Sequence, residues 1–147
     1  MTTLFRITAF ALSVALFPLS AHADMTSKEL VVTALNELFI KGDVSALDRY
    51  WADRYIQHNP QIPNGHDALK GMISNMPPGF KYEMGMVVAE GDLVAVHGRY
   101  SGFGNKPMIA VDLFSIEDGK IAEHWDVLQE EVTQTASGNP MFTPAKQ

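Results

Sequence analysis

Apolar positions in the N-terminal half of the chain recur at the three-to-four-residue spacing of an α-helix. Three segments show this spacing: residues 26–42, 43–51 and 66–76. The first begins with the capping box Thr26-Ser27-Lys28-Glu29, Asp43 can cap the second, and Pro77-Pro78 ends the third. Residues 55–65 contain two prolines and two asparagines, which are typical of a turn-rich loop. The pattern therefore predicts three helices, with a loop between the second and the third.

From Phe80 onward the helical spacing gives way to strict alternation, the pattern of a β-strand with one buried face. Three more strands follow, separated by Glu90-Gly91, Gly104-Asn105 and Asp118-Gly119, and each of these pairs suits a tight hairpin turn. Residues 133–147 are rich in turn formers and predict a loosely ordered tail. Helices followed by a hairpin-connected sheet predict an α+β domain, in which a curled antiparallel sheet packs on three N-terminal helices.

Two-residue turns at the three pairs would fix the strand register, because opposed residues then sum to a constant and share a face. In this register His97 lies opposite Asp112, and Asp112 lies opposite Trp125. The same face then carries Tyr82, Met84, Met86, Arg99, Ala110, Phe114, Ile116, Ile121, Glu123 and Val127. The prediction is therefore a His–Asp pair on an aromatic and apolar surface.

A carboxylate beside an imidazole on an apolar face is an arrangement that general acid–base catalysis requires. Opposed residues have Cβ atoms about 4.5–5.5 Å apart, so a hydrogen bond between His97 and Asp112 is within reach. Burial raises the pKa of a carboxyl group and a nearby imidazolium lowers it, so a base tuned toward neutrality is feasible there. The alternative is a structural pair whose two members satisfy each other inside the core.

The other histidines give weaker predictions. His58 lies in the predicted loop, where it can cover the open end of the sheet and act as an acid or orient a substrate carbonyl, or remain an exposed loop histidine. The predicted register puts His124 and Asp126 on the opposite face, where they serve either chemistry or contact with a second subunit. Because His124 is thereby separated from His97, the sequence predicts no metal site.

Composition narrows the partners of the chain. Acidic residues outnumber basic ones by 17 to 11, and the basic residues are scattered, which argues against a nucleic-acid partner. The chain has no cysteine, so disulfides, thiolate metal sites and a cysteine nucleophile are excluded. It has no phosphate-binding glycine motif and no Gly-x-Ser-x-Gly elbow, so nothing in the sequence supports a nucleotide cofactor.

The first 23 residues have the pattern of a secretory signal peptide. Arg6 precedes an apolar run over residues 7–19, and Ala21-His22-Ala23 fits the cleavage pattern of small residues. A membrane anchor would need about 18–20 uninterrupted apolar residues. We therefore expect cleavage after Ala23, a periplasmic or secreted protein without a membrane segment in its mature form, and a folded domain over residues 24–132.

Two stretches of the chain point to a family. Tyr55-Ile56-Gln57-His58-Asn59-Pro60 follows the second helix, and Gly65 opens the third. Val111-Asp112-Leu113-Phe114 is followed by the stretch from Asp118 to Val127, which contains Gly-Lys-Ile-Ala-Glu-His-Trp-Asp. Over residues 28–130 the chain resembles the SnoaL-like polyketide cyclases of the nuclear transport factor two-like superfamily, alongside ketosteroid isomerase and limonene epoxide hydrolase.

The resemblance implies a cone-shaped (cystatin-like) fold with an apolar pocket between sheet and helices, and commonly a homodimer formed through the sheet. In the characterised cyclases an aspartate on the third strand abstracts a proton next to a carbonyl without a cofactor, which starts an intramolecular aldol closure. Asp112 matches that position, His58 and His97 match pocket histidines, and Trp125 matches a pocket wall. The export signal argues against a polyketide substrate, because those cyclases act on cytoplasmic intermediates.

The resulting hypothesis is a cofactor-free enzyme of cyclase or isomerase type that acts on a small, largely apolar carbonyl compound. Asp112 is the predicted base, His97 its partner, and His58 an acid or enol-stabilising donor. The predicted substrate-binding residues are Trp125, Phe114, Tyr82, Met84, Met86 and Arg99. The alternatives are a non-catalytic small-molecule binding domain and a dimerisation domain of the same fold, because a fold alone does not determine function.

Overall fold

The first helix begins at the predicted capping box. Glu29 donates its backbone N–H to Thr26 Oγ1 over 3.2 Å, and its carboxylate accepts the Thr26 backbone N–H over 2.9 Å. In this computed structural model, which describes residues 25–145, α1 spans Ser27–Leu35 and continues as a π-helical turn over Asn36–Ile40. Two further helices are α2, Ala46–Tyr50, and α3, His66–Ser74. The three predicted helices are confirmed, and the predicted signal peptide lies outside the described residues.

The sheet has five strands, one more than the sequence pattern predicts. Their bounds are β1 Trp51–Gln57, β2 Lys81–Glu90, β3 Leu93–Ser101, β4 Met108–Glu117 and β5 Lys120–Glu130, and their order is β1-β5-β4-β3-β2. β1 pairs with β5 in parallel, whereas all other pairs are antiparallel. The placement of Trp51 in the second helix and of residues 55–57 in a loop is therefore wrong, because this segment pairs with the far end of the chain.

The core lies between the helices and one face of the curled sheet. α1 contributes Leu30, Val31, Ala34 and Leu35, all at most 2% exposed. They belong to one cluster with Val94 and Val96 of β3 and Phe114 of β4. Alternate residues of the strands point into this cluster, so the sheet has an inner face toward the helices and an outer face away from them. This arrangement confirms the predicted α+β cone.

Only one of the three predicted hairpin turns has the expected register. Glu117 and Lys120 flank Asp118-Gly119, and both turn residues have positive φ (50° and 73°), as a tight two-residue hairpin turn requires. The first turn is shifted by one residue to Gly91-Asp92, and the second connection is a six-residue loop over 102–107. His97 therefore lies opposite Val111 instead of Asp112, which lies opposite Val96. The predicted pairing of His97 with Asp112 is wrong.

A β-bulge in β5 reverses the predicted face of every residue after Ala122. Ile116 pairs with Ile121 but Ser115 pairs with Glu123, which leaves Ala122 as an extra residue on β5. Beyond the bulge Asp112 lies opposite Asp126, and Leu113 lies opposite Trp125. His124 and Asp126 consequently point to the inner face, and Trp125 points to the outer face. The prediction that Trp125 faces Asp112 is wrong for this reason.

The C-terminal residues follow the outer face of β2 and β3. Residues 131–145 contain no helix or strand, yet Phe142 is buried, with its ring 5.5 Å from that of His97 and 5.0 Å below the Arg99 guanidinium. Gly85 of β2 makes room for it, because a Cβ there would lie 3.0 Å from the Phe142 ring. Within the described residues, no helix is long and apolar enough to cross a membrane.

Candidate functional site

The inner face holds one carboxylate almost entirely out of water. Asp112 on β4 is 1% exposed, and both of its oxygens are hydrogen-bonded. Oδ1 lies 3.1 Å from Nε2 of His124, and Oδ2 accepts the hydroxyl proton of Tyr100 over 3.0 Å. A buried carboxylate needs such partners, because an unpaired charge out of water costs several kcal/mol. Asp112 and His124 thus form the buried pair that the sequence predicted for Asp112 and His97.

A second carboxylate faces the first. Asp126 lies directly opposite Asp112 in the β4–β5 ladder, and one of its oxygens, Oδ2, accepts a hydrogen bond from Asn59 Nδ2 over 2.7 Å. No hydrogen bond within the described residues reaches its other oxygen. Opposed like charges repel each other, so the nearby imidazole of His124, with a nitrogen within 4.8 Å of both carboxylates, is the group that makes this arrangement tolerable.

The end of β1 supplies the residues that orient the histidine. Because β1 is parallel to β5, Gln57 pairs with His124, and its Oε1 lies 2.8 Å from Nδ1 of that ring. The backbone N–H of Asn59 donates to the same Oε1 over 3.0 Å. The Gln57 side chain therefore holds the His124 ring, and the Asn59 side chain holds the Asp126 carboxylate.

Aromatic side chains enclose the buried pair. The ring of Phe114 lies 4.9 Å from that of His124, and the rings of Tyr82 and Tyr100 lie 4.7 Å apart. Burial, followed by the charge of Asp112, raises the pKa of both tyrosine hydroxyls well above the usual value. Both hydroxyls therefore keep their protons, and that of Tyr82 forms no hydrogen bond within the described chain. A neutral donor with no partner is left close to the carboxylate.

Three of the predicted pocket residues share the face of Asp112. Phe114 and Tyr82 are buried there, and Met84 packs against the core. Met86 is 69% exposed, because a bulge between Met84 and Val87 leaves it on the outer side of the sheet. Arg99 also lies on the outer face, where it donates two hydrogen bonds to Glu83, of 2.6 and 2.8 Å. The predicted placement of Met86 and Arg99 beside Asp112 is wrong.

The predicted catalytic histidines both lie on the outer face. His58 follows β1 and stacks on Trp125, with ring centroids 4.6 Å apart and planes 4° apart. Its Nε2 lies 2.9 Å from Glu123 Oε2. His97 packs against Phe142, and its Nδ1 has no hydrogen-bond partner in the described part of the chain. Neither ring contacts Asp112. The one-residue register shift between β3 and β4 turns His97 to the outer face. His58 directly follows Gln57, whose side chain lies on the inner face, so the alternation along the chain turns His58 outward.

Sequence reasoning missed three residues of the inner site, Gln57, Asn59 and Tyr100. It named His124 and Asp126 but placed them on the opposite face. One signal was present, because Tyr55, Gln57 and Asn59 alternate in the way that a strand requires. The bulge at Ala122 left no sequence signal that separates it from regular strand. The inner-face position of His124 and Asp126 is visible only in the structure.

Three side chains of the inner face are close enough together to bind a metal cation. Asp112, His124 and Asp126 each offer one donor atom, and these atoms lie within 4.8 Å of one another. The prediction that His124 and Asp126 lie on the face opposite to Asp112 is therefore wrong, whereas His124 and His97 do lie on different faces, as the parity argument predicted. In the observed arrangement His124 Nε2 and Asp112 Oδ1 lie within hydrogen-bond distance, 3.1 Å apart.

Comparison with known proteins identifies relatives of this fold. The family model of the SnoaL-like domain matches residues 32–124. No curated protein matches the chain at a significant level. A nuclear transport factor two-like protein of unknown function from Cytophaga hutchinsonii superposes with a TM-score of 0.63 at 19% identity, over 73% of this chain and 93% of that one.

Two further solved structures share the fold. A candidate ketosteroid isomerase from Kribbella flavida superposes with a TM-score of 0.63 at 16% identity, over 82% of this chain and 91% of that one. A candidate polyketide cyclase from Acidithiobacillus ferrooxidans gives 0.60 at 17% identity, over 72% and 89%. At these identities the likeness establishes the shared fold, and the chemistry must be argued from the inner-face residues.

Proposed function

The chain belongs to the SnoaL-like domain family, and from that premise we propose that it is an enzyme that moves a proton next to the carbonyl group of a small, largely apolar compound. The observation that carries the proposal is the 3.1 Å contact between Asp112 and His124, buried on an aromatic face with a second carboxylate opposite. The reaction class is aldol cyclisation or isomerisation without a cofactor. Two similar structures are named as a candidate polyketide cyclase and a candidate ketosteroid isomerase, which agrees with that class.

Each group that such a reaction needs is present on the inner face. Loss of a proton next to a carbonyl needs a base and donors for the oxygen that becomes negative. The carboxylates of Asp112 and Asp126 supply the base. The Tyr82 hydroxyl keeps its proton and is buried without a hydrogen-bond partner in the described chain, so a substrate oxygen bound at the inner face would satisfy it. The apolar surroundings favour a substrate with little polar surface and strengthen these interactions.

Deuterium exchange at the α-carbon of 2-tetralone tests the proposal, because it reports proton abstraction without knowledge of the natural substrate. We expect the protein to accelerate exchange in D₂O over buffer, as followed by proton NMR. The double variant Asp112→Asn/Asp126→Asn should lose at least about 100-fold of that rate, a magnitude typical of general acid–base catalysis. Asp53→Asn, at an exposed acid of β1, is the matched control.

Two results would contradict the enzyme proposal. Wild-type exchange no faster than buffer would do so, and if 2-tetralone binds nonetheless, the non-catalytic binding domain becomes the better description. A double variant that is as fast as the wild type would remove the inner-face carboxylates from the reaction. The alternative of a pure dimerisation domain predicts neither binding nor exchange.

We also propose a homodimer formed through the outer face. Large apolar side chains are exposed there: Met86, Val88, Leu93, Val111, Leu113 and Val127. Val88, Leu113 and Trp125 line an open groove of about 620 Å³, and such patches mark contact surfaces. Light scattering should show a dimer for the wild type and a monomer for Val127→Lys. A monomeric wild type would contradict this.

We further propose that the mature protein is exported and begins at residue 24. The support is the signal-peptide pattern of residues 1–23. N-terminal sequencing of the protein recovered from the periplasm or the medium should read Asp24 first. Recovery of an uncut chain in the cytoplasm would contradict the assignment.

A further inference from the structure

Two carboxylates of the inner face lie opposite each other with too little positive charge beside them. Asp112 and Asp126 are a directly opposed pair of the β4–β5 ladder. Within the described residues, neither of them forms an ion pair with a lysine or an arginine. The imidazole of His124 carries at most one positive charge, so it cannot balance both carboxylates. A divalent cation bound between them would balance both at once.

Each side chain of this cluster has one polar atom held from outside, as metal ligands in proteins commonly do. Gln57 Oε1 lies 2.8 Å from Nδ1 of His124, which turns Nε2 toward Asp112. The Tyr100 hydroxyl and the Asn59 amide each hold one carboxylate oxygen, over 3.0 and 2.7 Å. One ring nitrogen and one oxygen of each carboxylate remain for the centre of the cluster. Donor atoms of the three side chains lie within 4.8 Å of one another.

The donor set and its spacing favour a divalent transition-metal cation. Zn²⁺ binds imidazole nitrogen and carboxylate oxygen at about 2.0–2.2 Å, which puts the donors of a tetrahedral site about 3.3–3.6 Å apart. Asp112 Oδ1 and His124 Nε2 are 3.1 Å apart, already close to that separation. Asp126 is only half-buried, so its side chain has room to complete the site. Mg²⁺ fits less well, because it prefers oxygen ligands and keeps several waters.

A buried donor without a partner lies beside the cluster. Tyr82 is 5% exposed, and its hydroxyl has no hydrogen-bond partner in the described chain. This hydroxyl oxygen lies 3.2 Å from the place of a Cβ on Gly98, which is opposite Ala110, the inner-face neighbour of Asp112 on β4. Three protein ligands leave the fourth position of Zn²⁺ to water. A water held there would supply the acceptor that the hydroxyl lacks.

We infer that Asp112, His124 and Asp126 form a binding site for a divalent transition-metal cation. The cation replaces the contact between Nε2 and Oδ1 with a bond to each atom, and any proton held in that contact leaves to solvent. Binding does not depend on the proposed function. Where that function holds, the bound cation occupies both carboxylates that supply the base and therefore stops proton transfer.

Calorimetric titration of tag-free, chelator-treated protein with Zn²⁺ tests the site. We expect one cation per chain and a higher melting temperature with Zn²⁺, because a ligand that binds only the folded state stabilises it. Asp126→Asn should weaken binding at least about 100-fold, since the loss of an outer partner alone costs about 10–100-fold. His58→Gln, at the outer-face contact with Glu123, is the matched control and should bind Zn²⁺ as the wild type does. Thermal melting checks that both variants are folded.

Three calorimetric results would overturn the inference. A wild type that binds no Zn²⁺ is the first, and equal affinity in Asp126→Asn is the second. The third is a loss of binding in His58→Gln, which would put the cation on the outer face. Nitrogen-15 NMR of wild type labelled at histidine needs no variant that must fold: Zn²⁺ should shift the ring nitrogens of His124 and not those of His58 or His97. Shifts at the other histidines alone would overturn the inference as well.

Deuterium exchange separates this inference from the proposed function. Saturating Zn²⁺ should lower the exchange rate of 2-tetralone to that of buffer with the same Zn²⁺, and excess EDTA should restore it. If the rate is unchanged while NMR places the cation at His124, the carboxylates are not the base, and the proposed function fails while the site stands. If exchange is fast and no Zn²⁺ binds, the site fails while the proposed function stands.

Discussion

The two faces of the sheet each carry a histidine–carboxylate contact, and the two contacts differ in what surrounds them. On the inner face His124 and Asp112 are 3.1 Å apart, with side chains only 9% and 2% exposed. On the outer face His58 and Glu123 are 2.9 Å apart, with side chains 40% and 27% exposed. The shorter contact is the more solvated one. Burial rather than distance therefore separates the pair suited to chemistry from a surface ion pair, which contributes little.

Removal of each histidine should show the largest difference between the two faces. His124→Leu leaves Asp112 buried without its main partner, and we expect a loss of about 3–5 kcal/mol in the free energy of unfolding. His58→Leu removes a solvated contact and should cost less than about 1 kcal/mol. Urea unfolding of both variants measures the difference. Equal losses would show that burial does not distinguish the two contacts.

Gly98 tests how tightly the inner face is packed. A Cβ there would lie 2.9 Å from Cε2 and 3.2 Å from the hydroxyl oxygen of Tyr82. Gly98→Ala should therefore displace this ring, at a cost of about 1–3 kcal/mol typical of overpacking, and should slow exchange. Gly104→Ala, where no atom lies within 4 Å, is the control and should leave both unchanged. A stable, fully active Gly98→Ala would mean that Tyr82 is not held in place.

Gln57 tests whether the hydrogen-bond partner of His124 Nδ1 matters. Gln57→Leu removes the group that lies 2.8 Å from Nδ1, and the loss of about 1 kcal/mol should appear as a decrease of up to about tenfold in exchange. Gln57→Glu keeps an acceptor at that position and should remain closer to the wild type. If both variants behave alike, the orientation of the ring has another origin.

Alkaline titration of the buried tyrosines is the prediction with the smallest expected effect, and it tests how well the core and the inner face are closed to water. Burial raises the pKa of Tyr55, Tyr82 and Tyr100, so these phenols should stay neutral in the folded protein while the unfolded chain ionises near pH 10. Their contribution to stability is thus full below about pH 10 and is lost as the pH rises further. Absorbance at 295 nm should show these three ionising only on unfolding. Their ionisation in the folded protein would contradict the enclosed inner face.

Local signals in the sequence predicted local structure. The capping box at Thr26 and the turn at Asp118-Gly119 are both confirmed, because each depends on a few neighbouring residues. β1 was missed because it pairs in parallel with β5, about 70 residues further along the chain. The alternation of Tyr55, Gln57 and Asn59 was the only hint of that strand.

The sequence predicted the kind of site correctly, but not all of the residues that form it. Asp112 on an aromatic inner face is confirmed, because its own strand is regular and its alternation is visible. Its partner was misassigned, since one extra residue at Ala122 reverses the face of His124 and Trp125. The bulge thus brings His124 to Asp112, while the one-residue register shift between β3 and β4 moves His97 away from it.

The central claim is that proton transfer belongs to the inner face, and one comparison of exchange rates tests it most directly. The inner variant is Asp112→Asn/Asp126→Asn, and the outer variant is His58→Gln/Glu123→Gln. We predict that the inner variant exchanges 2-tetralone no faster than buffer, while the outer variant stays within about twofold of the wild type. An outer variant that loses exchange while the inner variant keeps it would contradict the account.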